Sequence, residues 1–221
     1  MLMDAVKIGP LLVKYLWIIL AITLVAAYFF MKWRTRDDKT QANFILNELS
    51  SSAMIYFFVW KFSYGLFHLN NVIEHPISLL YFNGGSMGVI AGLIVAISYL
   101  AYRAKKNRIC FKLLFDTIIA GLFASYLVYH IAVLVFLQEN IIYYGGQIII
   151  ALGLIAVLLK NQEKSIKKNL DLVVWFAIGQ VVSMMLIPRN SVVLSFSIEQ
   201  IAFVLIAFVA YFAESFIEKN E

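Results

Sequence analysis

The sequence predicts an all-α, polytopic membrane protein of seven transmembrane helices, with the N-terminus outside and the C-terminus inside. Three observations predict it. Hydrophobic residues make up 62% of the chain, charged residues only 14%, and the mean hydropathy is +0.85. Seven apolar runs are each long enough to cross a bilayer, which takes about 20 residues. The basic residues fall in alternate connections, the pattern that membrane topology imposes. The net charge of +5 is therefore a topological signal, and no nucleic-acid partner is expected.

The runs lie near residues 11–31, 48–68, 78–102, 110–137, 141–159, 170–187 and 194–216, and they read as one transmembrane domain over 1–221. The first opens after Pro10 and closes on Lys32, Arg34, Arg36 and Lys39. Its charges follow the apolar run and no small-residue cleavage site stands out, so it reads as a retained span rather than a signal peptide. The second carries Lys61 in its outer part. The third follows Pro76, places Asn83-Gly84-Gly85 near its outer end, and repeats glycine at 84, 88 and 92. Four-residue spacing puts those glycines on one helical face, where they read first as close helix packing. Asn83 is different, because a side-chain amide at membrane depth needs partners.

The third span closes on Arg103, Lys105, Lys106 and Arg108. Cys110, the single cysteine, excludes a disulfide framework and a cysteine-based zinc site. It is expected to be a small apolar packing residue at the inner edge of the fourth span. That span holds Asp116 toward its inner side and His130 in its outer third; 14 residues apart, they share a face but lie about 21 Å from one another. Gln147 falls in the outer half of the fifth span, which closes on Lys160 ahead of Lys164, Lys167 and Lys168. Gln180 lies near the middle of the sixth. Lys14 and Glu199, close to the outer ends of the first and seventh, are expected to snorkel to the interface. The connections 69–77, 138–140 and 188–193 carry Arg189 as their one basic residue, so the positive-inside rule puts them outside. All three prolines (Pro10, Pro76, Pro188) fall at these outer ends.

Apart from Asp116, the polar groups within the spans converge on the outer half of the bilayer, which predicts a polar pocket open to the outer leaflet. Each has a structural reading too. Gln147 and Gln180 serve equally as helix–helix glue, and a lone His130 as a satisfied interior histidine; a buried Lys61 is harder to explain as structure. Tyr15, Trp17, Trp33, Trp60, Tyr143, Tyr144 and Trp175 read as interface belt or core. There is no HExxH, GxSxG, Walker or Rossmann pattern. His68, Glu74 and His75 have no helical register across Pro76, so no metal and no cofactor is expected.

Several segments, in order, resemble the prolipoprotein diacylglyceryl transferase family. They are the Ile-Gly-Pro opening and basic close of IGPLLVKYLWIILAITLVAAYFFMKWRTR, VWKFSYGLF (59–67) with Lys61 at an arginine position, and NGGSMGVIAG (83–92) with Asn83 at the motif histidine. Asp116 matches the start of the family's signature helix, and SIEQIAFVL (197–205) its last span. Within the signature helix His130 stands at an arginine position, Gln138 or Glu139 is what remains for its glutamate, and Gly179-Gln180 replaces a later Gly-Arg. The resemblance implies a phospholipid of the phosphatidylglycerol kind in an outer-leaflet pocket of a bacterial cell membrane, its diacylglyceryl group passing to a lipoprotein cysteine. On that reading His130 and Lys61 are the catalytic residues, and Asn83, Gly84, Gly85, Gln180 and Arg189 bind substrate. The partners are the phospholipid and a lipoprotein precursor or another membrane protein. Two arginines replaced by histidine and glutamine remove bidentate phosphate recognition. This opens a second reading, a lipid- or partner-binding scaffold without turnover. A small-molecule transporter ranks third, because the polar groups favour one leaflet. A retinal-type receptor is disfavoured by the lack of a lysine in the seventh span.

Overall fold

The structure, a computed structural model, describes residues 5–8, 11–75, 84–137, 140–185 and 197–218. It opens on an antiparallel hairpin, β1 (Ala5–Ile8) and β2 (Leu11–Lys14), with Ala5 opposite Lys14 and Ile8 opposite Leu11. Helices follow: α1 (Tyr15–Arg34), α2 (Lys39–Phe67), the short α3 (Leu69–Glu74), α4 (Gly85–Lys106), α5 (Phe111–Leu137), α6 (Ile141–Lys160), α7 (Ile166–Met184) and α8 (Ile198–Glu218). The protein is thus a helical membrane protein, and α1, α4, α5, α6 and α8 are long and apolar enough to cross a bilayer. The expected first span loses its opening turn: 11–14 is strand, and the helix begins at Tyr15. Two short, mostly apolar runs on either side of Gly9-Pro10 are a hairpin signal that hydropathy does not register.

Helices α2 and α7 coincide with the expected second and sixth spans but carry more charge. Lys39, Glu48 and Lys61 lie on α2, and Lys167, Lys168 and Asp171 on α7. Helix α2 starts nine residues before the expected 48. Its first turns are amphipathic, with Ala42, Ile45 and Leu46 buried among polar neighbours, a spacing that supports a helix without an apolar run.

The chain divides into two compact units, residues 36–111 and residues 1–35 with 112–221. In the first, α2 and α4 run antiparallel, and each turn along α2 meets an earlier turn of α4. Glu48 pairs with Arg103 and accepts from the Tyr99 hydroxyl at 2.9 Å. Ser52 Oγ donates to the Ala96 carbonyl at 3.0 Å. A Cβ on Gly92 or Gly88 would lie 3.1 Å from the Tyr56 or Trp60 carbonyl oxygen, and one on Gly84 would collide with the Ser63 hydroxyl. The glycine stripe is therefore the seam that brings the two helices together.

The other unit holds α1 and α5–α8. Its main apolar cluster joins Ile119, Ala120 and Phe123 of α5 to Leu154, Ile155 and Leu158 of α6 and Leu172 of α7. A second, smaller cluster sets Ile19 of α1 against Ala132 and Val133. Helix α8 opens on a reciprocal capping box: Ser197 N donates to Gln200 Oε1 at 2.8 Å, and Gln200 N to Ser197 Oγ at 3.3 Å. The Ser-x-x-Gln of the 197–205 segment has that local task.

Cys110 corrects the expectation made for it. It is exposed rather than packed, because it lies in the connection ahead of α5, where its N–H donates to Gln41 Oε1 at 3.1 Å.

Candidate functional site

Two polar clusters are built into the larger unit, one at each end of α5. Nearest the N-terminal end, Arg34 closes α1 and turns its guanidinium onto Asp116, with Nε 2.9 Å from Oδ2 and Nη2 3.1 Å from Oδ1. The same Nη2 donates to the Asn161 carbonyl. Asn169 of α7 donates to Asp116 Oδ1 at 3.1 Å, and Asn161 Nδ2 donates to Asn169 Oδ1 at 3.1 Å. Asp116 and Asn169 are fully buried. Every group here has its partner, so the cluster is a closed clasp joining α1, α5, α7 and the α6–α7 connection.

The second cluster lies toward Leu137. Gln147 of α6 and Gln180 of α7 pair through their amides, with Gln180 Nε2 donating to Gln147 Oε1 at 2.9 Å and Gln147 Nε2 to Gln180 Oε1 at 3.3 Å. Gln147 Nε2 also donates to Ser183 Oγ at 2.7 Å, and Ser183 Oγ to the Gln180 carbonyl at 3.0 Å. The Tyr126 hydroxyl of α5 reaches both amide oxygens, Gln147 Oε1 and, at 2.8 Å, Gln180 Oε1. One turn on, His130 is 5% exposed, and its Nδ1 is buried with no hydrogen-bond partner among the described residues. Its ring lies between tyrosines, with centroids 4.2 Å from Tyr126, 5.2 Å from Tyr129 and 5.5 Å from Tyr144. Burying a polar atom unpaired costs about 1–3 kcal/mol.

Tyr126 and Tyr129 also wall a cavity of about 410 Å³, lined with Thr23, Ile119, Leu122, Phe123, Ser125, Val173, Phe176 and Ile206. His130 does not line this cavity, but Tyr126 and Tyr129, which do, are the rings packed against it. The apolar cluster of α5, α6 and α7 lies between the two polar clusters along all three helices: 119–123 between Asp116 and Tyr126, 154–158 between Gln147 and Asn161, Leu172 between Asn169 and Gln180.

Of the site residues expected from sequence, His130 and Gln180 are brought together, through Tyr126. Lys61, half-buried on α2, belongs to the smaller unit, as do Gly84 and Gly85. Gly84 faces Ser63, while Gly85 is exposed with φ +57°, the left-handed region that favours glycine. Asn83, Arg189, Gln138 and Glu139 lie outside the described residues. Five participants were missed, Tyr126 and Ser183 in one cluster and Arg34, Asn161 and Asn169 in the other. Tyr126 is four residues before His130 and Ser183 three after Gln180, each on its neighbour's helical face, which is the signal that points to them. Arg34 reads as a topological charge, although a buried Asp116 near the inner end calls for a cation. Compared with known proteins, the sequence matches no protein-family model and no curated protein.

Proposed function

We propose that this is a seven-span protein of a bacterial cytoplasmic membrane, N-terminus outside and C-terminus inside, that holds a phosphatidylglycerol-like phospholipid in an outer-leaflet pocket around His130. The observation that carries the proposal is the buried, unpartnered His130 Nδ1 beside the Tyr126–Gln147–Gln180–Ser183 cluster. The neighbouring cavity offers an acyl chain an apolar wall. Five of the helices are long and apolar enough to cross a bilayer, and the more charged α2 and α7, of 29 and 19 residues, are taken as the other two spans. The basic connections support the orientation. With that orientation His130 lies in the outer half of the bilayer.

The resemblance adds a reaction. A lipoprotein cysteine sulfur attacks the glyceryl carbon of the phospholipid, an S–C bond forms, and the C–O bond to phosphate breaks. Glycerol phosphate leaves, and the thiol proton passes to His130. The resemblance assigns Lys61 and Arg189 to the phosphate and Asn83, Gly84, Gly85 and Gln180 to the pocket wall; among the described residues, Gln180 is the one of these in the unit that holds His130. One observation favours the binding reading over turnover. Helices α5, α6 and α7 carry Lys112, Lys160, Lys167 and Lys168 at their other ends, far from His130. The apolar cluster between the two polar clusters argues against a transport path.

The test places purified protein in phosphatidylglycerol bilayers with a fluorescent lipobox peptide, and reads both retained lipid and the mass of the peptide by mass spectrometry. A diacylglyceryl gain abolished by Lys61→Ala or His130→Ala supports the transferase. Retained lipid that falls in His130→Ala without a gain supports the scaffold. If neither appears while a complete transferase modifies the peptide in parallel, the proposal is refuted.

A further inference from the structure

We infer that the turn closing α4, with Lys105, Lys106 and Arg108, is a headgroup site for an anionic phospholipid, in the inner leaflet under the proposed orientation. The inference does not draw on the His130 pocket. Only the choice of leaflet rests on the reading above.

Between Glu74 and Asp116 the chain holds no acidic residue. Arg103 is committed to Glu48, to which it donates through Nε and Nη2. Lys105, Lys106 and Arg108 are exposed, and none has an acidic partner among the described residues. Of the other acids in this unit, Asp37 lies 3.7 Å from Arg36, Asp38 precedes α2, and Glu74 closes α3 beyond the far end of α2. The Lys106 ammonium stands 5.7 Å from the centre of the exposed Tyr102 ring. A tyrosine favours the level of the headgroups, so that contact holds the cation where lipid phosphates lie.

Neither helix capping nor topology requires this arrangement. The last carbonyls of α4 are satisfied within the turn. The Arg103 oxygen accepts from Asn107 N at 3.0 Å and Asn107 Nδ2 at 2.9 Å, the Ala104 oxygen from Ile109 N at 3.0 Å, and the Lys105 oxygen from Arg108 N at 3.4 Å. This is a Schellman closure, and Arg108 holds its left-handed position at φ +50°, where glycine would be less strained. Lys105 and Lys106 suit the negative end of the helix dipole, a role that needs no arginine after them. A topological charge could stand elsewhere in the connection. At 108 it joins two lysines in one exposed turn. The guanidinium offers a phosphodiester two parallel donors, and the ammonium groups add charge. The choline of a zwitterionic lipid is repelled by the same three cations, so the turn favours a headgroup of net negative charge.

Cys110, exposed two residues after Arg108 and the single cysteine, carries the reporter. The full chain, labelled there with bimane, is reconstituted into phosphatidylcholine vesicles. These contain a trace of nitroxide-bearing phosphatidylglycerol or, in parallel, of nitroxide-bearing phosphatidylcholine. Both leaflets have the same composition, so the orientation of the protein does not affect the result. Phosphatidylglycerol should quench the label at least about threefold more strongly at low salt, and the ratio should fall toward one at about 0.5 M salt. Arg108→Gly, which suits the backbone, should lower the ratio without lowering the melting midpoint. Lys105→Gln and Lys106→Gln added to it should bring the ratio to one. A ratio near one in the parent overturns the proposal. So does an enhanced ratio that survives the triple substitution, since the enrichment would then belong to other cations. Neither result bears on the His130 pocket, which the lipid-retention and peptide assay tests separately.

Discussion

The Arg34–Asp116 clasp makes the sharpest stability prediction, because its energetics follow from burial and partner count. Asp116→Ala removes the acceptor of two Arg34 hydrogen bonds and one from Asn169. It leaves a guanidinium whose side chain is 7% exposed with the Asn161 carbonyl as its remaining acceptor in the clasp. Breaking a buried pair from one side costs about 3–5 kcal/mol, mostly through the charge left behind. For a chain of this length each kcal/mol is worth about 2–4 °C, so the midpoint should fall by roughly 6–20 °C. The assay heats detergent-solubilised protein and follows the fraction that remains monodisperse. The double substitution Arg34→Met with Asp116→Leu separates loss of the pair from exposure of the charge. Paired apolar replacements of buried ions are often neutral or stabilising, so the double variant should melt well above Asp116→Ala. An Asp116→Ala midpoint within about 2 °C of the parent would refute the clasp. A double variant no more stable than the single one would show that the cost is not that of an orphaned charge.

Three further predictions concern Gly88 and Cys110 of the smaller unit and Gly153 of the larger. Gly88→Val places a branched side chain against the Trp60 backbone, which cannot yield as a flexible side chain would, and should cost about 1–3 kcal/mol in the same melting assay. Gly153→Val, where nothing lies within 4 Å, should leave the midpoint within about 2 °C. Exposed Cys110, in a connection assigned to the cytoplasm, should react with a membrane-impermeant maleimide in inverted vesicles but not in right-side-out cells. The reverse pattern would invert the proposed orientation.

Much of the helix pattern was legible because a bilayer demands about 20 consecutive apolar residues, and few other constraints write so plainly in sequence. The expected 110–137 and 141–159 fall within a residue of α5 and α6. Where hydropathy is the wrong instrument, the boundaries slip. The amphipathic start of α2 buries one face and so shows a period rather than a run, and the hairpin at 5–14 has no length for hydropathy to detect. Site residues divide along the same line. His130, Gln147 and Gln180 stand out as polar groups in apolar helices. Tyr126 does not, because a tyrosine in a span reads as belt or core until its hydroxyl is seen between two amides. Arg34 is hidden for the opposite reason, since a cation at the end of a span already has an explanation in topology, and the pairing with Asp116 lies 82 residues away in sequence.

The contrast between the two polar clusters is what assigns them different tasks. In low dielectric, a buried group with all its bonds made is held firmly and has nothing left for a ligand, whereas one with a bond unmade favours whatever can supply it. Asp116 is of the first kind: both oxygens are taken by Arg34, and one again by Asn169, so an incoming ion must first dismantle the clasp. His130 is of the second kind. About 15 Å of α5 separates Tyr126 from Asp116, and the intervening helix faces are filled by Ile119, Ala120 and Phe123 against Leu154, Ile155 and Leu158. These side chains offer a passing ion no polar partner. A ligand at His130 therefore meets the protein from the membrane side of Tyr126 or from the nearer surface, and its chemistry is set by the few groups around that imidazole.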